Sequence, residues 1–245
     1  MRAVGIIPAR LQSSRLPRKA LVNICGMPMV MHTYKRSKMA RILDEVYVAT
    51  DSIEIRDIVE SYGGDVIMTS DRHKTGTDRV AEAAADMDCD VVVNIQGDEP
   101  LVNPAHIEAV LKPVLEEPDV KVAFGVTPYT KKGSTSDIKA VLDLDGNIMY
   151  CSRSDIPSDS RTPVFELFKM CFIVPFKKDF LKTYASWKPT PLETIEYNEY
   201  LRILEHGVKM RGVLIHDAKI SVDTPDDLEE VRKLMEKDAL RYIEE

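Results

Sequence analysis

Short, continuous apolar runs alternate along the chain with stretches in which apolar residues recur every three or four positions. That alternation predicts strands and helices in turn. Residues 3–8 (AVGIIP), 45–50 (EVYVAT), 66–68, 90–95 (DVVVNI) and 120–127 read as strands. Residues 28–39, 53–61, 78–86 and 104–117 have helical spacing. Asp51 and Ser52 supply N-cap chemistry before the second helix, and Gly63–Gly64 stops it. Five strands alternating with helices predict an α/β fold, a mainly parallel twisted sheet flanked by helices. The pattern then changes. Residues 139–143, 147–152 and 169–176 read as strands, with a turn at Asp145–Gly146 and a polar loop over 154–163. That predicts a small antiparallel extension. Helices over 192–206 and 225–238 flank a last strand over 208–215. There are no repeats and no clear linker, so residues 1–245 read as a single domain with a subsidiary arm at about 130–190.

Composition narrows the function. The chain has 245 residues, 44% hydrophobic and 30% charged, with a formal net charge of −7. A nucleic-acid surface would show a basic excess, so no nucleic-acid partner is expected. A few local cations can still build a positive pocket in an acidic protein. Cys25, Cys89, Cys151 and Cys171 form no C-x-x-C pair and read as reduced thiols. No apolar run reaches the length of a membrane span and no signal-peptide pattern opens the chain, which predicts a cytoplasmic protein.

In open α/β sheets ligands bind beyond the carboxyl ends of the strands. The first strand runs into PARLQSSRLPRK, which carries Arg10, Arg15, Arg18 and Lys19, hydroxyls at Ser13 and Ser14, and no acid. Guanidinium forks, a lysine point charge and backbone N–H groups are suited to a polyphosphate. The loop is neither G-x-x-x-x-G-K nor G-x-G-x-x-G, so neither a Walker loop nor a dinucleotide site is expected. The fourth strand ends in NIQGDEP, with Asp98 just past its edge and Gly97 allowing close backbone approach. Further on, SVDTPDD sets Asp223 before a helix, where either Asp223 or Thr224 could be the N-cap. Two carboxylates facing a triphosphate are a usual way to hold Mg²⁺. The chemistry that follows is attack of a substrate oxygen on the α-phosphate with pyrophosphate leaving, driven by positioning and cations.

With those motifs in view, the chain resembles the CMP-3-deoxy-manno-octulosonate (CMP-Kdo) synthetase family, and more widely the acidic-sugar cytidylyltransferases. The stretches that carry the resemblance are IIPARLQSSRLPRKAL (6–21), YVATD (47–51), GGDVIMTSDRHKTGTDRVAEA (63–83), VNIQGDEPLV (93–102), YCSRSDIP (150–157), PTPLETIEYNEYLRILEHG (189–207) and VDTPDDLEEV (222–231). It implies a nucleotide-diphospho-sugar transferase type of fold, a small sheet used for dimerisation, and transfer of CMP from CTP in lipopolysaccharide biosynthesis. It also implies roles. Arg10, Ser14, Arg15 and Lys19 match the loop on the CTP phosphates, and Thr75, Gly76, Thr77 and Arg79 the turn that reads cytosine. Gln96 and Asp98 match positions beside sugar and metal, and Asp223 the second metal carboxylate. Ser152, Arg153, Glu193 and Glu196 match the sugar half. His73 reads equally as a nucleotide contact or a satisfied loop histidine.

The chain departs from the family pattern at several positions. Leu11 stands for an aromatic, Arg18 for a loop glycine and Tyr200 for a frequent glutamine. Met170 and Val174 stand where the family carries a histidine and a tyrosine that face the sugar. The remaining arginines, Arg153 among them, predict an anionic acceptor, and Met and Val, which cannot hydrogen-bond sugar hydroxyls, make Kdo itself a poor choice. The alternatives are 8-amino-Kdo, a sialate-like acid or another small acid, or a non-catalytic nucleotide-binding homologue.

Overall fold

The computed structural model describes residues 1–13, 16–162 and 167–242. These divide into two compact units, the first made of Met1–Glu108 and Lys219–Glu245, the second of Ala109–Ala218.

The first unit is a doubly flanked parallel sheet. Strand β1 (Ala3–Ala9) is followed by a hairpin, β2 (Asn23–Ile24) and β3 (Met27–Pro28), whose turn residues Cys25 and Gly26 have φ of 50° and 96°. Positive φ at both central positions is the tight-hairpin geometry. Helix α1 (Met29–Lys38), β4 (Glu45–Thr50), α2 (Ile53–Ser61), β5 (Val66–Met68), α3 (Gly76–Ala83) and β6 (Val91–Ile95) come next. Strand β1 pairs in parallel with β4 and β6, and β4 with β5, giving the order β6-β1-β4-β5. Every residue of β6 is buried, as its VVVNI sequence implies for a strand covered on both faces. Ser52 caps α2 as expected, its hydroxyl accepting from the Ile55 amide at 3.3 Å. Helix α4 (Pro104–Glu116) carries the division between the units.

The second unit is built on a five-stranded closed barrel. Its elements are β7 (Ala123–Tyr129), β8 (Lys139–Leu142), β9 (Asn147–Ser152), β10 (Leu167–Cys171), β11 (Ile173–Lys177), α5 (Lys178–Ser186), α6 (Pro191–Glu196), α7 (Leu201–Glu205) and β12 (Met210–Leu214). The barrel runs β10-β7-β12-β9-β8, with β8 closing on β10. The antiparallel extension expected at about 130–190 falls within this unit, whose barrel also takes in β7 and β12. The chain then returns to the first unit through α8 (Pro225–Met235).

Several expected elements are redrawn. The fifth strand, β7, pairs with β10 and β12 in the barrel instead of extending the run of β1, β4, β5 and β6. The single strand expected over 169–176 is two strands parted at Phe172, and α5 was not anticipated. The helix expected over 192–206 breaks at Tyr197, which adopts φ 51° and ends α6. The break lets α6 and α7 share a buried ion pair. Arg202 Nε and Nη2 donate to the two Glu193 carboxylate oxygens at 2.8 and 2.5 Å, and Nη1 reaches the Trp187 carbonyl at 3.2 Å. The guanidinium also lies over the Tyr184 ring, 4.7 Å from its centre.

Arg202 is 3% exposed, so removing it strands a buried carboxylate. Arg202→Ala should cost about 3–5 kcal/mol. Urea unfolding followed by circular dichroism measures it; a loss below about 1 kcal/mol would show that water reaches Glu193 and replaces the pair.

Candidate active site

Strands β1, β4 and β5 extend the first unit's sheet in one direction, and β6 crosses to the other side of β1. The strand order therefore reverses between β1 and β6, and the loops leaving their carboxyl ends define the crevice where such sheets take ligands. Those loops are Arg10 onward and Gln96-Gly97-Asp98. They lie close because of Gly97. A Cβ there would stand 3.1 Å from the Pro8 carbonyl oxygen and 3.4 Å from Ile7 Cγ2. The Gly97 carbonyl in turn accepts from the Thr33 hydroxyl at 3.3 Å.

Asp223 comes to Asp98 from the far end of the chain. The Val222 amide donates to the Asp98 carbonyl at 2.9 Å, and the Ser221 hydroxyl to Glu99 at 2.7 Å. Thr224, not Asp223, is the N-cap of α8, in a capping box with Asp227, and Pro225 follows at the first helical position. That relieves the Asp223 carboxylate of capping. Helix α8 is docked by Val222, Leu228, Val231 and Met235, which pack with Ile24, Met29 and Leu101.

The two carboxylates meet at one cation. Lys19 Nζ donates to Asp98 Oδ2 at 2.7 Å and to Asp223 Oδ1 at 3.0 Å. Burial on its own would lower the Lys19 pKa, but the charge and hydrogen bond of Asp98, then those of Asp223, outweigh it and hold it above the usual lysine value. Lys19 opens a 3-10 turn, Lys19–Leu21, fixed by the Leu21 amide donating to the Arg18 carbonyl at 2.8 Å. Arg18 sits at φ 56°, the left-handed region that favours glycine, and its guanidinium pairs with Glu54. So the family's glycine at this position has a conformational reason, and Arg18 points to an acid instead of joining the Lys19 group. Arg10 is exposed at the end of β1. Ser14 and Arg15 lie outside the described residues.

The amino end of α3 stands at the same crevice. A Cβ on Gly76 would lie 3.3 Å from Pro8 and 3.6 Å from the Gln96 amide nitrogen. Thr75 caps the helix, accepting from the Asp78 amide at 3.2 Å. Beneath it, Asn94 Nδ2 donates to the Thr77 hydroxyl at 3.0 Å and Gln96 Nε2 donates to Asn94 Oδ1 at 3.1 Å. Thr77 and Asn94 are fully buried, so this relay aims Gln96 from within the fold. Sequence reasoning passed over Asn94; its signal was one polar residue inside an otherwise apolar strand. Arg79 is buried too, bonded to Thr69 at 2.5 Å and paired with Asp51 at 3.2 Å, which ties together the segments after β4 and β5. His73 pairs with Glu82, whose pKa is lowered first by that hydrogen bond.

The residues matched to the sugar half lie in the second unit. Arg153 donates to four backbone carbonyls, those of Thr135, Ser136, Glu196 and Tyr197, at 2.9–3.1 Å. Glu196 accepts from Ser152 at 2.7 Å, the Arg153 amide at 3.0 Å and Tyr150 at 3.2 Å. Burial would raise the Glu196 pKa, yet these bonds lower it below the usual range. Glu193 gives both oxygens to Arg202. A further cation escaped the sequence reading. The Lys139 ammonium is fully buried, donates to the Ser134, Asp137 and Arg153 carbonyls and stands 3.5 Å from Asp155. Beside it, Asp137 is held down at about 2: burial opposes the shift, and hydrogen bonds from Lys169, Ser134 and Tyr129 outweigh it.

Met170 and Val174 are 1% and 0% exposed and belong to the apolar core. Tyr200 is buried as well, edge-on to Phe124 with ring centres 4.8 Å apart. The expectation that Met170 and Val174 weaken Kdo recognition assumed side chains facing an open pocket. Packed in the core, they have no surface with which to select an acceptor, and that expectation is withdrawn.

A parallel sheet with a cationic and acidic cluster at its switch point defines a nucleotide-handling α/β protein, and comparison with known proteins narrows the class. Residues 4–211 match the cytidylyltransferase family. The 3-deoxy-manno-octulosonate cytidylyltransferase of Geobacter metallireducens is 40% identical, over 94% of this chain and 96% of that protein. The mitochondrial 3-deoxy-manno-octulosonate cytidylyltransferase of Arabidopsis thaliana is 42% identical, over 96% of this chain and 83% of its own length. A solved structure of CMP:2-keto-3-deoxy-manno-octonic acid synthetase complexed with CTP superposes with a TM-score of 0.93 at 34% identity, over 97% of this chain and 99% of that one. The chain belongs to the 3-deoxy-manno-octulosonate cytidylyltransferase family.

Gly97→Ala tests the crevice geometry. The added methyl must push the Asp98 loop away from the Pro8 backbone. It should lower kcat/KM by roughly 10- to 100-fold with the fold retained. Wild-type turnover in a folded Gly97→Ala protein would show that Asp98 does not need this close approach.

Proposed function

We propose that this chain transfers CMP from CTP to 3-deoxy-manno-octulosonate, releasing pyrophosphate. The observation that carries the proposal is the convergence of Lys19, Asp98 and Asp223 at the switch point of a chain in this family. The acceptor hydroxyl loses its proton as its oxygen bonds to the α-phosphorus, and the bond from that phosphorus to the β-phosphate oxygen breaks. Lys19 and Arg10, with Ser14 and Arg15 by family match, bind the triphosphate. The Thr75–Thr77 turn and the aimed Gln96 orient nucleotide and sugar, and we assign the preference for CTP over UTP to that turn. Arg153 and Glu196, matched to the sugar by resemblance, hold the backbone of their own unit.

Asp98 and Asp223 fit a divalent cation, Mg²⁺ by our reading. Two hard oxygen donors already converge on one positive charge, and both carboxylates are partly exposed. No group of three or more His, Cys, Asp or Glu is assembled among the described residues, so phosphates and water would complete the shell. Bound there, Mg²⁺ supplies neutralisation of the phosphate charge. We place the reaction in the cytoplasm, as the sequence reading expects. No helix among the described residues is long and apolar enough to cross a membrane.

Pyrophosphate release should require CTP, Kdo and Mg²⁺ together, fall at least 10-fold with UTP, and be lost in Asp98→Asn. Faster turnover of 8-amino-Kdo or a sialate than of Kdo would reassign the acceptor, and turnover of none of them would leave a nucleotide-binding homologue.

We further propose a homodimer formed through the second unit. Met149 and Leu214 on its barrel strands, and Leu144 in the turn between β8 and β9, are large apolar side chains left exposed. Sedimentation should give a dimer that Met149→Lys weakens; a monomer in the unmodified protein would refute the assembly.

A further inference from the structure

Lys19 is suited to a phosphate, yet in the free chain its ammonium is spent on the two carboxylates that would hold the metal. We propose that Lys19 is a stand-in cation that shuts the metal site of the free enzyme, so that the divalent ion enters only when a triphosphate draws Lys19 away. The proposal rests on Asp98 and Asp223 being the metal pair, and it adds the order in which that pair is used.

Three features carry it. First, both carboxylates lie within 3.0 Å of one nitrogen, so they stand close enough to repel each other when no cation is between them. Their backbones cannot part, because the Val222 amide is bonded to the Asp98 carbonyl and α8 is locked in its core. A positive charge in the gap is therefore favoured, and in the free chain Lys19 supplies it. Second, a metal ion and this ammonium cannot share it. A divalent ion would stand about 2.1 Å from the same oxygens, inside the space Nζ occupies, and the two like charges would repel. Third, Lys19 is anchored at one end and movable at the other. Its main chain is fixed in the 3-10 turn behind Arg18, while its four-carbon stem can carry Nζ several ångströms. A polyphosphate arriving at the same loop offers it a new anionic partner. Without one, withdrawal would leave the ammonium unpaired in a setting where its side chain is only 16% exposed.

Metal affinity without nucleotide separates this proposal from the functional reading it rests on. Binding of Mn²⁺, read by loss of the free-ion electron paramagnetic resonance signal, is measured on the nucleotide-free protein. Lys19→Met should bind Mn²⁺ at least 10-fold more tightly than the unmodified chain, and Lys19→Gln should behave like it. Lys19→Arg should bind as weakly as the unmodified chain, because the charge is kept. Circular dichroism establishes that each variant is folded. Equal Mn²⁺ affinity in Lys19→Met, Lys19→Gln and the unmodified chain, whether tight or weak, overturns the stand-in role. A different result strikes the metal pair itself: unchanged Mn²⁺ binding with CTP present in both Asp98→Asn and Asp223→Asn.

Discussion

Two negative charges from distant parts of the sequence must be held side by side, and they repel. Asp98 leaves the end of β6, and Asp223 arrives on the segment that leads into α8. Lys19 lies between them. Much of the first unit answers to this one electrostatic demand. The parallel pairing of β1 with β6 brings the basic loop beside Asp98. Gly97 removes the Cβ that would hold those loops apart. The Thr224 capping box and the Val222 contact fix Asp223 without using its carboxylate. Each is a modest interaction, and together they impose a geometry that the charges alone would reject.

The second unit uses the same physics with the opposite purpose. There the cations face carbonyl oxygens and buried acids of their own unit. Lys139 gathers three carbonyls, Arg153 four, and Arg202 grips Glu193. Buried ammonium and guanidinium groups survive only when such donors are satisfied. The gain is a set of connecting segments held in one shape around Glu196, the part of the chain matched to the sugar.

Periodicity and turn chemistry made the parallel sheet of the first unit legible, since each of its strands is a short apolar run ending in a loop, whereas the two-residue strands β2 and β3 carry no such pattern. They failed where tertiary partners decided. Nothing local told β7 to join a barrel rather than a parallel sheet. The run over 192–206 has helical spacing, but the Glu193–Arg202 pair requires a break at Tyr197. Helix α5 was missed although Phe180, Leu181 and Tyr184 mark a buried face. At the site, charge and strand ends pointed to Lys19, Asp98 and Asp223. Resemblance alone matched Arg153 and Glu193 to the sugar half, yet their partners lie in their own unit. Spacing cannot tell a carbonyl-bound guanidinium from one awaiting a substrate.

The first unit is discontinuous: the whole of residues 109–218 is inserted between its two segments. During synthesis, Lys19 and Asp98 leave the ribosome long before Asp223. Until the inserted unit has been translated, Ile24, Met29 and Leu101 lack the apolar face of α8 that covers them in the finished fold. A nascent chain of this kind exposes an apolar surface, and Lys19 has one carboxylate partner where the finished fold gives it two.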